Sequence, residues 1–143
     1  MMKRLLVATD LSPRSAYAVQ RALQLAQSHG ADVVILHVVD EDQPTAIVAS
    51  EIKQVEDYGR RTWEREFAKH AVPLDIRVVA GIAYREIIEV AAKARADLIV
   101  VGTPRRDILR QVFTGTTAER VMRLGRIPVL MVRRSARRPY ESI

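Results

Sequence analysis

Two sets of residues in this chain have the types and spacing to hold an anion. The first is Gly102, followed later by Gly115-Thr116-Thr117. An apolar run, Leu98 to Val101, leads into Gly102, and a helical pattern opens at Thr116. The segment therefore reads as strand, glycine-bounded loop and helix start. Backbone N–H groups at a helix start, beside a glycine and small hydroxylated side chains, can cradle a phosphate. Gly102 would let the main chain approach a ligand closely, and Gly115 would do the same just before the helix. The second set is Thr9-Asp10, where the first apolar run stops. Both sets also have plainer readings, as loop punctuation, a threonine N-cap and a turn aspartate beside Ser12.

The elements that must position these residues follow from hydrophobic pattern. Five apolar, β-branched runs read as buried strands: Leu5 to Thr9, Val33 to Val39, Ile76 to Val79, Leu98 to Val101 and Val129 to Val132. They are continuous rather than alternating, which suits a parallel sheet covered on both faces. Helical patterns fill the intervals. The first opens with Ser12 as N-cap and Pro13 in the first turn, carries Ala16, Val19, Leu23 and Ala26, and stops at His29-Gly30. The second runs from Ala46 to His70 with Val48, Ile52, Val55 and Phe67 at helical spacing. The third, Ala83 to Arg95, presents Tyr84, Ile87, Ile88 and Ala91; the fourth, Thr116 to Leu124, presents Ala118, Val121 and Met122. Strict alternation of strand and helix predicts an α/β fold, an open doubly wound parallel sheet with helices on both faces.

The loop spacing resembles the nucleotide loop of the universal stress protein family, whose pattern is glycine, two residues, glycine, nine residues, glycine, then serine or threonine. This chain reads Gly102, Thr103-Pro104, Arg105, nine residues, Gly115, Thr116. Arg105 stands where the second glycine would be. Its bulk either remodels the loop and closes the phosphate pocket, or its guanidinium, with Arg106 and Arg110 nearby, replaces backbone contacts to phosphate. The resemblance covers Lys3 to Arg133 and implies strand order 3-2-1-4-5, so that the winding reverses between the first and fourth strands. Ligands bind outside the carboxyl ends of the strands at such a switch. It further implies an adenine nucleotide, ATP foremost, with Thr9, Asp10 and Val38 at the adenosine end. Gly102, Gly115, Thr116 and Thr117 would hold the phosphates, and Arg105 is a candidate addition. Mg²⁺ or Mn²⁺ would travel on the phosphates rather than on protein ligands. Residues 1–133 form the expected nucleotide-binding domain and 134–143 a basic tail.

Composition narrows the remaining functions. The 143 residues suffice for one domain with a substantial core. The absence of cysteine excludes disulfides, thiolate metal sites and thiol catalysis. No signal-peptide or membrane-spanning pattern is visible, which makes a cytoplasmic setting the expectation. The excess positive charge lies late: residues 101–143 carry ten arginines against Asp107, Glu119 and Glu141, whereas residues 1–100 are close to neutral. An anionic ligand near that end is favoured over a merely solvated basic face once the loop motif is counted. No Walker, G-x-G-x-x-G or G-x-S-x-G motif occurs. No catalytic base is apparent either, so a binding and signalling module for the stress response, with slow hydrolysis at most, is expected rather than an enzyme. His37 and Trp63 read as packing residues, and the 5% aromatic content argues against nucleic acid as partner. The last strand, Ile127 to Val132, would be an apolar sheet edge suited to a homodimer. The alternative is a nucleotide-independent homodimer whose basic end docks an unidentified acidic protein partner.

Overall fold

A computed structural model describes residues 1–103 and 116–133. Five strands, β1 (Arg4–Ala8), β2 (Asp32–Asp40), β3 (Leu74–Gly81), β4 (Leu98–Gly102) and β5 (Val129–Val132), form one parallel sheet in the order β3-β2-β1-β4-β5. Helices α1 (Pro13–His29), α2 (Thr45–Lys69), α3 (Ala83–Lys93) and α4 (Thr117–Leu124) cover it. This is the expected fold and strand order. The winding reverses between β1 and β4, which are paired with Leu6 opposite Ile99.

Why both faces must be covered is visible in the strands themselves. Side chains alternate across a strand, and here both alternate sets are apolar. Leu5, Val7, Val33 and Ile35 join α1 and α2 in one core, with Trp63 and Phe67 from α2. Leu6, Val34, Leu36 and Ile99 join Ile87, Val90 and Val121 of α3 and α4 in the other. α1 follows the expected signals: the Ser12 side chain accepts from the Ser15 amide, Pro13 opens the helix, and Gly30 ends it in the left-handed conformation (φ 64).

Two elements, β3 and α3, differ from the sequence reading by two residues at an end, and α2 differs in burial. β3 extends past Ile76 and Val79 at both ends; it is an edge strand with no fully buried residue, and Asp75 and Ala80 are exposed, so the run of apolar residues understates it. The third helix stops at Lys93 rather than Arg95, which adopts φ 57. In α2, Val55 and Phe67 are buried, but Val48 and Ile52 are only partly so. A helix of 25 residues spans about 37 Å, whereas the eight residues of β3 span about 26 Å, so the first turns of α2 run beyond the strands.

The amino edge of the sheet is tied by polar groups. Asp97 accepts from the amides of Lys3 (2.7 Å) and Arg4 (3.0 Å). Arg4 donates to Asp32 (2.8 Å) and to the Ala94 carbonyl (2.8 Å). The two backbone donors, Lys3 first, hold the Asp97 carboxyl below its ordinary pKa. No helix among the described residues is long and apolar enough to cross a membrane.

Candidate functional site

At the carboxyl edge, the chain leaving β1 is organised around Thr9. This residue is buried, and its hydroxyl shares a hydrogen bond with Ser15 (2.9 Å) and accepts from the Leu11 amide (3.0 Å). Its carbonyl pairs with Nδ1 of His37 (2.8 Å), which must carry the proton for that bond to form. His37 thereby fastens the end of β2 to the end of β1, the packing role read from sequence. Thr9 is thus committed within the protein, shaping the loop.

Asp10 is exposed, and its Oδ1 accepts from the Ser12 amide at 2.9 Å. This is the turn geometry that the plainer sequence reading gave, and it leaves the carboxylate at the crevice. Desolvation there acts to raise its pKa, but hydrogen bonds from Ser12 and Ser15 and the charge of Arg14 outweigh it. The net effect holds Asp10 below the ordinary carboxylate value, hence ionised. Between Asp10 and Ser12, Leu11 takes φ 67, a conformation a branched side chain adopts only when its surroundings impose it.

Gly102 ends β4 directly against the first turn of α1. A Cβ placed on it would meet the Arg14 carbonyl oxygen at 2.7 Å and the carbonyl carbon at 2.9 Å. The close approach expected of this glycine is therefore made to the protein's own backbone. Beyond the junction, the Thr103 amide donates to Val132 (3.1 Å) and continues the β4–β5 ladder. Thr116 is the N-cap of α4, its hydroxyl accepting from the Glu119 amide at 3.1 Å. With Glu119 so satisfied, the amides of Thr117 and Ala118 are the ones without an intrahelical partner.

These segments enclose a cavity of about 650 Å³ at the β1–β4 switch, lined by Thr9, Asp10, Val38, Gly102, Thr116 and Thr117 among others. Six of the residues singled out in the sequence thus meet at one crevice. Arg105 and Gly115 lie outside the described residues. The floor is apolar, with Leu36, Val38, Ile87 and Val101. The starts of α1, α3 and α4 contribute Ser12, Ala83 and Thr117 to the wall, so the positive ends of three helix dipoles converge on it. An apolar floor below oriented amides and one ionised carboxylate fits a ligand with a flat apolar part, hydroxyl groups and an anionic end. Among the described residues no group of three His, Asp or Glu side chains is placed to hold a metal ion.

Two lining residues escaped the sequence reading. Ser15 is buried beneath the loop and locks Thr9; the Ser12, Ser15 pair at i, i+3 on a helix start was the available signal. Arg14 lines the cavity from α1, and nothing in its neighbourhood in sequence distinguishes it from a solvated helix residue.

The fold and the position of the crevice define an open, doubly wound α/β protein with its cleft at the topological switch. Within that class the chain belongs to the universal stress protein family, whose model matches residues 1–133. It is 30% identical over 142 residues to a universal stress protein of Methanocaldococcus jannaschii, covering 94% of this chain and 84% of that protein. It is 31% identical over 139 residues to universal stress protein A homolog 1 of Coxiella burnetii, covering 91% and 95%. Among solved structures it resembles a universal stress protein in complex with cAMP, at 27% identity and TM-score 0.71, covering 94% of this chain and 98% of that one.

Proposed function

We propose that this chain binds an adenine nucleotide, ATP foremost, in the switch-point crevice and acts as a regulatory module of the stress response. The observation that carries this reading is the crevice itself: an apolar floor including Val38, the ionised Asp10 at its rim, and the unpaired amides of α4 at its far side. The cAMP complex of a relative supports the adenine class. In this assignment the β2 segment at Val38 borders the adenine. Asp10 accepts from the ribose hydroxyls, and the Thr117 and Ala118 amides, with the Thr116 and Thr117 hydroxyls, donate to phosphate. Arg105 and Gly115 complete the phosphate loop, and Mg²⁺ or Mn²⁺ accompanies the phosphates.

Turnover is slow at most in this reading. Asp10 is the one carboxylate among the described lining residues, and its hydrogen bonds to Ser12 hold it as an acceptor with a lowered pKa, a poor general base. The protein works in the cytoplasm and pairs as a homodimer through β5, a sheet edge whose Met131 is 39% exposed. Light scattering checks the pairing, since a species of only 16.1 kDa at micromolar concentration contradicts it.

Calorimetric titration of nucleotide-stripped protein with ATP and Mg²⁺ tests the central reading. Micromolar binding that weakens in Asp10→Ala is the expected result. Absence of both heat and thermal stabilisation at millimolar ATP would instead leave a nucleotide-independent protein that docks an acidic partner.

A further inference from the structure

We propose that Arg14 is the phosphate anchor of the crevice and makes it favour phosphorylated ligands over the bare nucleoside. The proposal rests on the nucleotide reading above and assigns the cation that meets the ligand's charged end.

Arg14 is half-buried in the first turn of α1, after the Ser12 cap and Pro13. It is the single cation among the described residues that line the cavity. Its placement at a helix start gains nothing from the helix dipole. The start of a helix carries partial positive charge, and acidic side chains are preferred there. The first turn of α1 contains no acidic residue and has Arg14 instead. Among the described residues no ion pair or hydrogen bond engages its guanidinium. Asp10 feels its charge, but that carboxylate is turned to the Ser12 amide. Positive potential from Arg14 and from the helix starts therefore accumulates over one cavity, and an anion is what would relieve it.

The root of the side chain is also fixed. The Arg14 carbonyl abuts Gly102 so closely that a Cβ there would lie 2.7 Å from its oxygen. The side chain thus springs from a rigid junction of α1 with the end of β4, and Arg14 lines the same cavity as Thr117 and Ala118 of α4. A phosphate lying in the cavity can be gripped by the guanidinium and by the amides of those two residues, which is a chelating arrangement.

The test is titration of ATP, AMP and adenosine into the wild type, Arg14→Ala, Arg14→Lys and, for comparison, Arg105→Ala. Removing a charged hydrogen-bonding partner of phosphate should weaken ATP and AMP by about 10- to 100-fold. Adenosine should change less than about twofold, since its contacts lie at the other end of the crevice. Arg14→Lys should restore part of the loss, keeping the charge without the fork. The salt dependence of ATP binding should flatten in Arg14→Ala. ATP affinity unchanged in Arg14→Ala, or an equal loss for ATP and adenosine, overturns the assignment while leaving the nucleotide reading intact. A wild type that binds none of the three compounds removes both.

Discussion

The two edges of the sheet solve opposite problems with similar residues. At the amino edge, Asp97, Arg4 and Asp32 close on one another and on backbone groups, so that each charge has a protein partner. At the carboxyl edge, the neutral hydroxyls of Thr9, Ser12 and Ser15 are knitted together, while Asp10, held by the Ser12 amide, and Arg14 line a cavity. Charge at one edge is consumed by the fold. At the other it is left available, and the fold is held there by uncharged groups. A crevice can be both rigid and open to ligands because hydroxyl and backbone groups knit its loop together beside the charges it offers.

That contrast can be broken most forcefully at Gly102. Gly102→Val would drive a branched side chain into the Arg14 backbone, and overpacking of this kind costs about 3 kcal/mol. For a chain of this size that lowers Tm by roughly 6–12 °C, and nucleotide binding should be lost with it, as calorimetry on the folded fraction would show. Asp97→Ala should lower Tm less, and it should leave ATP affinity unchanged because its partners lie at the opposite edge. A matching loss of affinity would show that the edges are coupled.

Acid sharpens the comparison. Asp97 and Asp10 both titrate below the ordinary carboxylate value in the folded protein, so the unfolded chain binds protons first as pH falls. Their contribution to stability is complete above the unfolded value of about 3.9 and disappears as pH drops through the lower folded values. Denaturant midpoints measured from about pH 6 to 2 should fall in that window, and Asp97→Asn should flatten the fall. The smallest effect is expected at Gly30→Ala. Its left-handed φ of 64 with open space around it should cost about 1 kcal/mol by equilibrium unfolding, without touching the crevice.

The fold was legible because its signals were redundant. Leu5 to Val7 and Val33 to Leu36 are apolar on both faces, and Ser12-Pro13 and Gly30 mark one helix at both ends. The meeting of Asp10, Val38, Gly102 and Thr116 was legible only through topology, since nothing local joins residues so far apart in sequence. What stayed hidden was how each residue is used. Gly102 makes a close approach to the Arg14 backbone, and Thr9 spends its hydroxyl on Ser15. Arg14 passed unnoticed because an arginine in a helical pattern ordinarily faces solvent, and only the tertiary structure turns that position into a cavity wall.

The chain has a single tryptophan, and its position has a practical consequence. Trp63 is 7% exposed and meets Tyr58 edge-on at 5.3 Å, in the half of α2 that lies toward the amino edge. It belongs to the core on the α1–α2 side and does not line the crevice. Its emission should therefore be blue-shifted in the native protein and indifferent to an occupant of the crevice, changing only when the core opens. The molecule carries its own optical gauge of unfolding, which lets ligand-induced stabilisation be read without an added dye and without interference from the ligand's arrival.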